Sequence, residues 1–279
     1  MKSMKVFGLT FFTSLVVLFS VGAIFLLMPS QAAGDEPAVS SEEPYYPKTE
    51  ENLSVLLIGE DRETGDALFF TLARFDAKNA MLTLSGFPPQ TQISLGTRTD
   101  TLAGYYRKAG GIQALRALKQ ALRVSIDRFA VLNENSLITI ADSLHGVEFD
   151  VPEDLKSDKI DIRRGLQQID GRRFRDMILY EEDYTLDLQL VKALIDQKIN
   201  AGLAGQGREL FSKISNAMET NVTSYDYEMR TEALLHWAKQ ENKAQIFELQ
   251  GSYNENRTVF TLSESSIDSY RSEVYHLPE

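Results

Sequence analysis

From Val6 to Met28 the chain carries no Asp, Glu, Lys or Arg, and this run decides the fate of the N-terminal segment before any fold is considered. A bilayer-spanning helix needs about 20 apolar residues, and this run is long enough for one. Lys2 and Lys5 precede it, while Asp35, Glu36, Glu42 and Glu43 follow it. The positive-inside bias then predicts a cytoplasmic N-terminus and an extracytoplasmic remainder. Ser30, Gln31 and Ala32 also form a passable cleavage site for a secretory leader. The run exceeds the usual leader core of about 7 to 15 residues, which favours a retained anchor. The two fates place the rest of the chain on the same side of the membrane.

Pro29 to Asn52 mixes four prolines with Ser, Gly and acids, a composition that cannot bury a core and predicts a disordered spacer. The expected organisation is therefore a cytoplasmic tip and anchor over 1–28, a spacer over 29–52, and one domain over 53–279 with a helical C-terminal part. The last is long enough for a single large core. With no cysteine, the chain can form neither disulfides nor a thiolate nucleophile or metal site. A net charge of −11 excludes a general nucleic-acid binder, which needs a basic face.

Leu53 to Gly59 is a short, unbroken apolar run ending in Gly and predicts a buried strand. Ala67–Phe75 and Ala80–Ser85 predict two more strands joined by the turn-forming Asp76-Ala77-Lys78-Asn79. After Gly110 and Gly111, the apolar residues Ile112, Leu115, Leu118 and Leu122 fall at helical spacing. Arg128–Leu132 and Val147–Val151 predict strands around a helix over Ser136–Leu144. Beyond Gly171 the helical period dominates, over Leu186–Leu203, Glu209–Met218 and Asp226–Gln240. Short strands over Ala244–Leu249 and Thr258–Leu262 precede a last helix capped by Ser263 and running to Tyr275. Alternating strands and helices predict an α/β protein, a layered α-β-α sandwich around a central mixed sheet.

Several passages carry a more specific signal. Asn52–Arg62 reads NLSVLLIGEDR, Gly86–Ile93 reads GFPPQTQI, Leu144–Pro152 reads LHGVEFDVP, Gly165–Phe174 reads GLQQIDGRRF, and Leu188–Ile199 reads LQLVKALIDQKI. In this order they resemble the LytR-CpsA-Psr family of cell-envelope proteins, with LHGVEFDVP the most specific match. The resemblance implies a membrane-anchored extracytoplasmic α/β sandwich with an apolar tunnel for a polyprenyl chain. It also implies transfer of a polyprenyl-phosphate-linked glycan or wall polymer onto peptidoglycan. Charge building on a pyrophosphate has to be neutralised by arginine forks and a magnesium ion.

By this resemblance Asp61 and Asp66 stand at the magnesium positions, and hard carboxylate oxygens suit Mg2+. Read alone, Asp61 caps a strand and Asp66 sits in a turn. Arg62 is the candidate phosphate contact. Where the family carries arginines, this chain has Pro89 beside Gln90, Leu179 and Glu181, and Asp187, with Gln189 kept. Proline offers no donor, and Glu181, Glu182 and Asp183 repel phosphate. Arg163, Arg164, Arg172, Arg173 and Arg175 read as a solvated basic patch. Phe69, Phe70, Phe75 and Phe87 suit either a lipid tunnel or ordinary core. His145, His236 and His276 have no metal-ligand spacing, and no nucleotide or hydrolase motif is present.

Three readings stay open. A degenerate binding domain predicts a tunnel without its arginines. A transferase with a rebuilt site predicts two or more arginines converging beside the aspartates. A structural scaffold predicts a closed pocket.

Overall fold

The computed structural model describes residues 45–180, 184–204 and 206–278. The expected anchor and most of the expected spacer lie outside them, as do Glu181, Glu182 and Asp183. Among the described residues no helix is long and apolar enough to cross a membrane.

Strands β1 (Leu53–Glu60), β2 (Ala67–Asp76) and β3 (Met81–Phe87) form the expected antiparallel meander. Its hairpin is closed by Asp76, whose Oδ1 accepts the Lys78 and Asn79 amides at 3.0 and 3.2 Å. Short strands β4 (Gln92–Leu95) and β5 (Arg98–Thr101) pair as a hairpin before helix α1 (Leu102–Leu122). Next come β6 (Arg128–Leu132), α2 (Glu134–Ser143) and β7 (Val147–Val151). The small strands β8 (Leu155–Lys156) and β9 (Asp161–Ile162) pair with each other, and β10 (Gly165–Ile169) pairs with β7. Helices α3 (Gly171–Tyr180), α4 (Tyr184–Lys198), α5 (Ala201–Ala204) and α6 (Gly207–Ser215) follow, then β11 (Glu219–Thr220). The chain ends with α7 (Ser224–Glu228), α8 (Thr231–Ala238), β12 (Ala244–Ile246), the hairpin β13 (Gly251–Tyr253) and β14 (Phe260–Leu262), and α9 (Glu264–Tyr275).

The central sheet is mixed, in the order β11-β6-β1-β2-β3-β12. β6 and β12 join parallel to β1 and β3, and the other pairs are antiparallel. Side chains alternate across a strand, so β1 feeds two cores. Leu56 and Ile58 enter one with Leu72, Leu115, Leu118 and Tyr270, beneath α1 and α9. Leu57 meets the other, built with Leu137, Met177, Ile178 and Leu190 of α2, α3 and α4. This is the expected layered α-β-α sandwich.

The structure differs from the sequence expectation at three breaks. Helix α1 begins at Leu102, upstream of the expected Gly pair, because Thr101 Oγ1 caps the Gly104 amide at 3.0 Å. Leu102, Tyr105 and Tyr106 already carry the helical stripe. Gly110, at φ 66°, then kinks the helix, and Gly111 lies so close to Phe129 that a Cβ would fall 2.3 Å from the ring. The expected helix over Leu186–Leu203 stops at Lys198, and Asn200 Oδ1 caps the Leu203 amide of the next short helix.

The expected helix over Asp226–Gln240 is two pieces joined at Arg230. That residue is only 7% exposed, and its guanidinium donates to the carbonyls of Glu51, Asn52 and Asp226 at 2.9, 3.1 and 2.8 Å. The same contact moves the expected domain boundary. Tyr45–Asn52 belongs to the folded unit, with Glu51 buried and Asn52 Oδ1 accepting the Ala77 amide.

Beside Arg230, the carboxylate of Asp226 accepts a two-pronged bond from Arg128, both contacts 2.9 Å, together with the Thr223 amide and hydroxyl. Burial pushes this carboxyl up, but the Arg128 fork and the Thr223 donors outweigh it and hold the pKa below the usual carboxylate range. The unfolded value is about 3.9. A lowered folded-state pKa gives stability that is present above the unfolded value and is lost as pH falls through the folded one. Asp226→Asn should lower the unfolding free energy in urea at pH 7 by about 3 kcal/mol. It should also flatten the decline in stability below about pH 4 that the parent protein shows on acid titration.

Candidate functional site

Between the sheet and helices α3 and α4 lies a cavity of about 370 Å³. Phe69, Phe70 and Phe87 come to its wall from β2 and β3, and Ile178, Leu188 and Val191 from the helices. Phe69 reaches its place only because β1 carries Gly59 opposite it. A Cβ there would fall 2.0 Å from the Phe69 ring. Phe75, the fourth aromatic residue considered for a tunnel, is not on the wall. It packs edge-on to Trp237 at 5.7 Å in a separate core cluster.

The polar side chains on the wall are Thr71, Gln90, Asp187 and Tyr253, and no Lys or Arg lines the cavity among the described residues. Three of the positions where the resemblance places arginines, Pro89, Leu179 and Asp187, meet on this one wall. Sequence alignment alone could not show that they face a common space. Pro89 is held rigidly: its carbonyl accepts the Ala103 amide at the start of α1, and Thr91 Oγ1 donates to the Pro88 carbonyl at 2.6 Å. Gln189 is exposed and off the wall.

The two candidate metal ligands stand at the ends of the loop that follows β1. The Asp61 amide donates to the Asp66 carbonyl at 2.9 Å, closing the loop. Asp61 Oδ1 accepts the Glu63 amide at 2.8 Å, a local turn bond. Asp66 Oδ1 accepts a fork from Arg107, with Nε at 3.1 Å and Nη2 at 2.8 Å. Arg107 comes from the first half of α1, which the apolar spacing after Gly111 does not predict. Arg62 is exposed in the same loop. Neither aspartate, nor Arg62 or Arg107, lines the cavity.

Among the described residues no three His, Asp or Glu side chains form a metal cage. Two carboxylates, each using Oδ1 within the protein, fit the open mode of Mg2+, which takes one or two carboxylates and completes its shell with water and phosphate oxygens. Next to the loop, Tyr106 donates to Glu60 Oε1 at 2.6 Å. Burial first, and the Glu60 carboxylate second, hold that phenol protonated far above its ordinary range.

The arginines read as a basic patch do not line the cavity. Arg163, Arg164, Arg172 and Arg173 are exposed, and Arg175 pairs with Asp176 and, at 3.8 Å, with Glu134.

Residues 27–275 match the model of the LytR_cpsA_psr family. Over 197 residues the chain is 24% identical to the polyisoprenyl-teichoic acid–peptidoglycan teichoic acid transferase TagV of Bacillus subtilis, a match covering 61% of this chain and 49% of TagV. The chain thus spans about half the length of that curated relative. The crystal structure of B. subtilis TagV superposes with a TM-score of 0.68 at 20% identity, covering 81% of this chain and 96% of that one. A crystal structure from Eubacterium siraeum, described as a transcription regulator, gives 0.75 at 17% identity, covering 87% and 98%. The protein YwtF (TagT) with bound octaprenyl pyrophosphate lipid gives 0.60 at 15% identity, covering 82% and 90%.

The contact between Gly59 and Phe69 ties the cavity wall to the sheet. Gly59→Ala should cost about 1–3 kcal/mol in urea unfolding, the range for forcing a methyl into a packed site. Adding Phe69→Leu should recover part of that loss, since the two changes share one contact and are not additive.

Proposed function

This chain belongs to the LytR_cpsA_psr family, and from that premise we propose that it is a membrane-anchored extracytoplasmic envelope protein. Its domain binds a polyprenyl-phosphate-linked glycan or wall polymer and has lost the transfer reaction. The observation that carries this reading is the cavity itself. Its aromatic and aliphatic wall is kept, while Pro89, Leu179 and Asp187 stand on it where arginines would be.

An apolar chain entering such a space gains roughly 25 cal/mol for each Å² removed from water, so burial in it favours a lipid over a polar ligand. Transfer asks for more, because the pyrophosphate gathers charge in the transition state. One lost donor of this kind typically costs on the order of a hundredfold or more in rate. The octaprenyl pyrophosphate complex of TagT supports the choice of ligand class. The uncharged run Val6–Met28 and its flanking charges support the anchor and the extracytoplasmic placement. Asp61 and Asp66 would hold Mg2+ against the ligand's phosphate, with Arg62 beside them. A bound Mg2+ would supply charge neutralisation there.

The rebuilt-transferase reading finds two arginines beside the aspartates, Arg62 in the same loop and Arg107 bonded to Asp66, but neither reaches the cavity wall. The closed scaffold reading is disfavoured by a cavity of this size.

The test is binding of a polyprenyl pyrophosphate to the full chain in detergent. Binding should occur, should strengthen with Mg2+, and should lose that dependence in Asp61→Ala/Asp66→Ala. Val191→Phe, which fills the cavity, should weaken binding about tenfold while leaving the circular dichroism spectrum unchanged. Transfer of a lipid-linked glycan to peptidoglycan should stay at background. Product formation would sink the loss of activity, and absence of binding would leave only a scaffold.

A further inference from the structure

We propose that Arg257 supplies the cationic contact for the phosphate of the cavity's ligand, delivered by the β13–β14 hairpin and not by the segments that frame the family's arginines. This rests on the lipid-binding reading above and explains how a phosphate could be met where the wall carries no cation.

The hairpin is docked on the altered segment. The Phe260 amide donates to the Gln90 carbonyl at 3.0 Å, and Phe260 forms a parallel bridge with Thr91, one and two residues beyond Pro89. Through this docking Tyr253 becomes part of the cavity wall. Its ring is braced by Phe260, with centroids 4.9 Å apart. The guanidinium of Arg257 lies over the same Tyr253 ring, 4.7 Å from its centroid. Such a stack costs the guanidinium little, because its edge donors stay available for a two-pronged phosphate contact.

The loop that carries Arg257 is built rather than slack. Asn254 Oδ1 accepts the Thr258 and Val259 amides at 2.8 and 3.1 Å, and its Nδ2 donates to Thr258 Oγ1 at 3.0 Å. The Arg257 amide donates to the Asn254 carbonyl at 2.9 Å, and Arg257 itself sits at φ 54°. A non-glycine residue in the left-handed region is uncommon and persists where surrounding bonds over-determine it. Among the described residues no ion pair joins Arg257 to a carboxylate, whereas Arg107 is committed to Asp66. Gln90, on which the hairpin docks, and Tyr253 both line the wall, so an anion met there would lie beside the hairpin that carries Arg257.

The experiment compares a polyprenyl phosphate with the matching polyprenol for binding to the full chain in detergent. The unmodified protein should prefer the phosphate. In Arg257→Gln that preference should fall about fivefold, the scale of a solvent-screened charge contact, with polyprenol binding unchanged. Arg257→Lys should retain part of the preference, and Arg164→Gln, an exposed arginine elsewhere, should retain all of it. Raising the salt concentration should erode the preference in the parent and hardly affect Arg257→Gln. An equal preference in the parent and in Arg257→Gln overturns the assignment and leaves lipid binding standing. Failure of both lipids to bind overturns the lipid reading, and this assignment with it.

Discussion

Strand β1 is paired on both edges and covered on both faces, and the domain is arranged around the demands this makes. A strand so enclosed has to find its backbone partners within the protein. It does so with β2 on one side and β6 on the other. Its side chains then divide the molecule, with Leu56 and Ile58 in the core under α1 and α9, and Leu57 toward α3 and α4. The second side is the less completely filled, and the cavity lies there. Gly59 follows from the same enclosure: at the end of a strand covered on both faces, a side chain would compete with the Phe69 ring that the cavity wall uses.

The parts of this fold that were legible in the sequence are those dominated by one local pattern. The run LSVLLIG cannot be satisfied by anything except a covered strand, and the Asp-Ala-Lys-Asn turn closes its hairpin through the Asp76 carboxylate. The parts that were not legible depend on partners far along the chain. The split between α7 and α8 comes from the Arg230 guanidinium reaching carbonyls about 180 residues away in sequence. The small hairpins β4–β5 and β8–β9 have too few apolar residues to show a period of two.

The candidate site divides in the same way. Asp61, Asp66, Pro89, Leu179 and Asp187 could be picked out by resemblance, but only the fold puts the last three around one space and leaves the aspartates off its wall. The roles of Arg107 and Tyr253 were not legible because each owes its position to an element that the pattern did not reveal, the first turns of α1 and strand β13. An apolar wall can be kept by many side chains of similar volume, whereas a phosphate grip needs a guanidinium at a set place. An apolar space and a phosphate grip are therefore separable properties of one cavity.

The clasp of Arg230 on Glu51 and Asn52 has a mechanical meaning. A pull applied at Tyr45 passes through these two residues one step before β1 begins. Without the clasp, that force would bear directly on the first rungs of the central sheet and open them one at a time. With it, the load is shared by the Glu51 and Asn52 carbonyls and carried through a buried guanidinium into the junction of α7 and α8. That junction is locked in turn to β6 by Arg128 and Asp226. The domain is thus fastened like a button whose thread passes through two layers of cloth, and a tug at Tyr45 is spread across the body before the sheet that shapes the cavity is strained.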